Sequence, residues 1–180
     1  MHKDEIARFK LRGFQFIAYI SPDEDADAPW DSSDGHGPVT KWENRPKRPG
    51  ELILASDGRV DRFYDFQAAV KLARRDRWDS PPYKTGKPGE RAARAARADF
   101  EFLRGWCNDQ WSYVGVIVER VTETGTVRDR TSLWGIESNA TDYLQETARD
   151  LAQELVSSAH TAQRQREVKQ AFIGCSCPEV

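Results

Sequence analysis

The chain has 180 residues, a formal net charge of −2, 31% charged residues and a mean hydropathy of −0.75. That near-balance of charge excludes a uniformly basic nucleic-acid coat and an acidic tail protein. Six tryptophans and 11% aromatic residues exclude wholesale disorder, and the length suits one domain whose core needs no metal or disulfide staple.

The N-terminal MHKDEIARFK has no apolar core and does not read as a signal peptide. No run of about 18 apolar residues occurs, so no membrane span is expected. Three cysteines, with Cys175 and Cys177 in the last six residues, do not make a secreted disulfide framework. A reducing cytosol is the expected setting.

Residues 13–20, GFQFIAYI, form the first predicted strand, with Phe14, Phe16 and Ala18 on one face and Ile17 and Tyr19 on the other. Residues 21–50 make a long polar loop with five prolines and with four aspartates between 23 and 31. Loops of this length inside a compact domain tend to be functional or partly disordered. Within it, PWDSSDGHGPVTKW (29–42) sets Trp30 and Trp42 around Asp34-Gly35-His36-Gly37. The glycines suit a tight turn, and the indoles suit anchors that hold the loop on the domain. The competing reading is a binding or catalytic loop in which His36 acts as acid, base or metal ligand. Asp23, Asp25, Asp27 and Asp34 resemble a calcium loop, but Ala28 replaces the needed glycine and a short Asp replaces the bidentate Glu. A solvated acidic turn is expected there instead.

ELILASDGRVDRFYDF (51–66) predicts a hairpin around Asp57-Gly58. Asp65 then caps a helix over 66–77, whose Phe66, Ala69, Val70 and Ala73 form an apolar stripe. After a loop at 80–90, a second helix spans about 90–105 with Ala93, Ala96, Phe100 and Leu103 inward. WSYVGVIVERV (111–121) is apolar on both faces and reads as a central strand, and residues 126–136 return as its partner. A last helix is expected over about 142–168, burying Leu144, Ala148, Leu151, Leu155 and Ala159. Its polar end extends into solvent or packs on a second copy. Hairpins outnumber crossovers, so the expected fold is α+β: an antiparallel sheet of about five strands packed with three helices. One domain over 1–170 and a tail at 171–180 complete the outline.

Several stretches resemble a family of uncharacterised bacteriophage and prophage proteins: PWDSSDGHGPVTKW, RPGE (48–51), FYDFQAAVKLARRDRW (63–78), ERAARAARADFEFLRGWCNDQWSYVGV (90–116) and WGIES (134–138). The resemblance implies an origin in a phage or prophage genome and life in a bacterial cytoplasm. It carries over no catalytic residue.

Residues 59–104 hold twelve basic and seven acidic side chains, whereas residues 1–36 hold four and eight, so the chain is dipolar in sequence. Arg91, Arg94 and Arg97 recur every three residues on the second predicted helix. Such a stripe suits phosphates or an acidic partner, although a solvated helix face is the commoner outcome. Cys107 between aromatics reads as packing, since no histidine is brought near it by sequence. Cys175 and Cys177 are two ligands where a structural zinc needs four. Glu137 is a lone carboxylate. No phosphate-cradling glycine loop, nucleophile elbow or paired-histidine zinc motif occurs.

The leading expectation is therefore a non-enzymatic interaction protein, without cofactor or metal, that binds a host or phage protein. Its candidate contact residues are Trp30, Asp34, His36, Trp42, Arg91, Arg94 and Arg97. The alternatives are nucleic-acid binding through the basic helices and a small metal-dependent hydrolase built on Asp34, His36 and Glu137. A dimer through the last helix is a further option.

Overall fold

The structure is a computed structural model that describes residues 3–31, 35–78 and 85–173. In chain order its elements are β1 (Asp4–Leu11), β2 (Phe14–Pro22), a short 3-10 turn (Pro29–Asp31), β3 (Glu51–Ser56), β4 (Asp61–Asp65), α1 (Phe66–Arg75), α2 (Pro88–Cys107), β5 (Tyr113–Val121), β6 (Val127–Glu137) and α3 (Thr141–Ile173). The fold class is α+β. Among the described residues, the strands form not one sheet of about five but a four-stranded antiparallel sheet, ordered β1-β2-β5-β6, and the separate hairpin β3-β4. The chain groups into two compact units, one from Met1–Glu24 with Ser112–Val180, the other from Asp25–Trp111.

In the first unit, β1 is an element that the charge-rich N-terminus conceals. Its Phe9 and Leu11 sit opposite Phe16 and Phe14 of β2, while Arg8 and Lys10 fall on the other face. Arg12 and Gly13 join the two strands with φ of +48° and +85°, the twist that a two-residue hairpin turn requires. β5 lies between β2 and β6, and Val114, Val116, Ile117 and Val118 are all buried. α3 covers one sheet face, packing Leu144, Ala148, Ala152, Leu155 and Val156 with Phe16, Ala18, Val116 and Val118. Each large apolar side chain so buried contributes roughly 1.5–3 kcal/mol. Gly115 meets the indole of Trp134, and a Cβ there would collide with that ring. α3 runs further than its apolar pattern, and every residue from 161 to 170 is exposed.

The second unit is built on the β3-β4 hairpin and on α1 and α2. Gly58, at φ +66°, closes the hairpin, where Asp57 N–H donates to Val60 O at 2.9 Å. Asp65 Oδ1 accepts from Ala68 N–H at 2.9 Å, which satisfies one of the open donors at the start of α1. Leu54, Tyr64, Ala69, Ala96, Phe100 and Leu103 form the core. The long loop is ordered where it runs beside β4. Val39 bridges Tyr64, Glu43 bridges Asp61, and Thr40 N–H donates to Phe63 O at 2.9 Å. The free side of β4 therefore finds backbone partners in the loop rather than in another strand.

Candidate functional site

His36, Asp99 and Tyr64 converge inside the second unit. The ring Nδ1 of His36 lies 2.6 Å from Asp99 Oδ1, while Gly37 N–H and Tyr64 O–H donate to Asp99 Oδ2 at 2.8 and 2.7 Å. A carboxylate only accepts, so His36 Nδ1 carries a proton and donates in this contact. Burial above all, and next the hydrogen bond to Asp99, push the Tyr64 phenol well above its ordinary range, so it remains a donor. His36 also stacks on Phe102 at 5.7 Å, and Phe102 meets Trp111 at 4.4 Å. Gly37 lies so close to Tyr64 that a Cβ would collide with the phenol ring. The contacts of His36 and Gly37 fasten the middle of the long loop to α2 and to Tyr64 of β4.

The fastened loop carries the two tryptophans to one arginine. The Arg62 guanidinium, projecting from β4, packs over the Trp30 ring at 4.7 Å and over the Trp42 ring at 4.9 Å. Trp30 is held in turn by an edge-on contact with Trp106 at 5.1 Å. Trp42 remains 45% exposed. The Arg62 Nε is buried and has no hydrogen-bond partner among the described residues. The neighbouring Arg45 contrasts with it, since that guanidinium meets both oxygens of Glu51 at 2.7 and 2.8 Å and also pairs with Glu43.

The arginines at 91, 94 and 97 do not share one environment. Arg97 covers the rings of Phe66 and Phe100 at 4.9 and 5.7 Å. Arg94 donates to the Thr85 carbonyl. Arg91 lines a cavity with Arg74 and Arg77. A three-residue repeat drifts around a helix of 3.6 residues per turn, so successive side chains reach different neighbours.

Asp34, Cys175 and Cys177 lie outside the described residues. His36 belongs to the second unit and Glu137 to the first. Burial raises the Cys107 thiol, opposed by the charge of Arg62, which keeps it in its less reactive form. Among the described residues no group of three His, Cys, Asp or Glu side chains is placed to hold a metal, and no helix is long and apolar enough to cross a membrane. Arg62, Asp99 and Tyr64 escaped the sequence reading. Their one advance signal was that an Asp and an Arg stood near aromatics in otherwise amphipathic elements. Comparison with known protein families, curated proteins and solved structures gives no match.

Proposed function

We propose that this is a non-enzymatic interaction protein that grips an acidic group of a protein partner through Arg62 and its two tryptophans. The observation that carries the reading is the Arg62 guanidinium, stacked on two indoles with a buried Nε–H that has no acceptor among the described residues. The Nε is itself out of a partner's reach, but the residue as a whole is only half-buried, so a partner's carboxylate would pair with the outer N–H groups of the guanidinium fork. Stacking on both indoles fixes the planar fork before the partner arrives, so little ordering entropy remains to be lost on binding. Trp and Arg are also the side chains most enriched at binding hot spots. The Asp99 network serves this surface by holding the loop between Trp30 and Trp42 in place. The resemblance to phage and prophage proteins points to a host or phage protein in a bacterial cytoplasm as the partner.

The test is affinity capture from nuclease-treated bacterial lysate with the wild type, Trp42→Ala and Arg62→Met, each checked for an unchanged circular dichroism spectrum. A protein captured by the wild type and lost by both variants is expected. An empty wild-type bait, or the same proteins captured by all three, overturns the reading.

A further inference from the structure

We propose that the outer edge of β1 is a dimer interface, on which a second copy of this chain pairs its own β1 antiparallel to the first. The inference is independent of the Arg62 surface. Among the described residues β1 ends the sheet ordered β1-β2-β5-β6, so its side turned away from β2 presents a row of backbone donors and acceptors. That edge borders a groove between β1 and α3, in which cavities of about 420 and 210 Å³ share Phe9 and Arg149. From β1 the groove is lined by Ile6, Ala7, Phe9 and Leu11, which pack on the core of the first unit and yet stay only half-buried. An added strand would complete that burial.

Charge order chooses the occupant. Charged side chains, and bulges such as the one at Ile6, usually keep an edge strand single. In β1 the charges are sorted along the strand: the exposed Asp4 and Glu5 open it, and the exposed Arg8 and Lys10 follow. A parallel copy would set acid on acid and base on base. An antiparallel copy, with its two-fold axis near Ala7, sets the acidic half of each strand beside the basic half of the other. Lys3, which precedes the acids, is engaged by Glu119 of its own sheet at 3.1 Å. Arg8 meets Glu5 within the strand at 3.0 and 3.3 Å, but both side chains are exposed, so that pair holds little and is readily exchanged for the partner's.

The helices support the same symmetry. Of the axes that give antiparallel strands, the one perpendicular to the sheet brings the two apolar grooves together, with both copies of α3 on one face. Arg149 and Asp150 are adjacent, exposed and both line the groove. The rotation therefore offers each Arg149 the partner's Asp150. Such self-complementarity, in the strand and again in the helix, is what a two-fold interface requires.

The test is sedimentation velocity of the untagged full chain over a wide concentration series. A reversible monomer–dimer equilibrium that weakens at high salt is expected. Arg8→Glu with Lys10→Glu makes β1 acidic throughout, and Glu5→Lys makes it mainly basic. These positions are exposed, so circular dichroism and Tm should stay close to those of the wild type. Each variant alone is expected to dimerise about tenfold or more weakly. Mixed together, the acidic and basic variants are expected to form a heterodimer, which a merely damaged edge would not do. A wild type that stays monomeric, variants that dimerise as it does, or a mixture that fails to associate overturns the proposal. So does a dimer that these variants keep and that truncation after His160 abolishes, which would put the second copy on the end of α3.

Discussion

Asp99 holds His36 at 2.6 Å across 63 residues of sequence, and the same carboxylate binds the backbone of Gly37 and the hydroxyl of Tyr64. One side chain therefore orders the middle of a loop that has few other ties to a helix. Asp99→Asn keeps the size, removes the charge and turns one acceptor into a donor. A loss of about 1–3 kcal/mol is expected, read as a lower urea midpoint with an unchanged slope. A stability within error of the wild type would show that the loop is held by its aromatic contacts alone.

The Tyr64 phenol predicts the alkaline limb of stability. Its pKa in the folded chain is raised far above the ordinary 10.0, first by burial. Below that value both states keep the proton and the contribution is complete. Above it the unfolded chain loses the proton while the folded chain retains it, so stability falls as pH rises. Tyr64→Phe should be less stable at neutral pH yet show a shallower decline past pH 10, measured as denaturant midpoints against pH. Parallel curves for the two proteins would contradict this.

Glu51 predicts the acid limb with the opposite sign. Hydrogen bonds from Arg45 hold its carboxyl at about 2, against an ordinary 4.5. The stability it supplies is present above 4.5 and disappears as pH falls toward 2. Glu51→Gln should flatten the profile over that window and leave the alkaline limb untouched. A variant that loses stability equally at every pH would mean that shape, not charge, is what Arg45 needs.

Gly115 and Trp134 should behave as a coupled pair. Gly115→Ala drives a methyl into the indole, and a loss of about 1–3 kcal/mol is expected from overpacking. Trp134→Ala opens that space, so adding Gly115→Ala to it should cost much less. Additive losses in the double-mutant cycle would place the strain elsewhere.

Truncation after His160, which removes residues 161–180, tests the end of α3. Every position from 161 to 170 is exposed, so truncation after His160 should change stability by no more than about 0.5 kcal/mol in urea unfolding. A larger loss at high protein concentration alone would reveal a second copy bound to this segment.

Local chemistry was readable in advance. The Asp57-Gly58 turn, the Asp65 cap and the apolar stripe of α1 all lie within a few residues of what they determine, whereas in α2 Ala96, Phe100 and Leu103 are buried as expected but Ala92 and Ala95, not Ala93, complete the face. β1 was not readable, because an edge strand with one solvated face needs only a few apolar side chains, here Ile6, Phe9 and Leu11, among charges. The Asp99 and Arg62 contacts were unreadable for another reason. They join segments far apart in the chain, and no periodicity within either segment records the partner. The arginine repeat misled because regular spacing says nothing about neighbours: Arg91 faces a cavity, whereas Arg97 covers aromatic rings.

The first unit is interrupted. Its β1-β2 hairpin precedes the whole of Asp25–Trp111, and β5, the strand that pairs with the other edge of β2, follows it. During synthesis the hairpin therefore leaves the ribosome with β2 unpaired on one side and Phe16 and Ala18 uncovered, and it must wait for the intervening segment to be translated. The insert closes its own contacts and can fold in that interval, which draws the ends of the split unit together. Refolding of the full chain should accordingly be slower than its local contacts suggest, since the β2-β5 pairing is the late, long-range step.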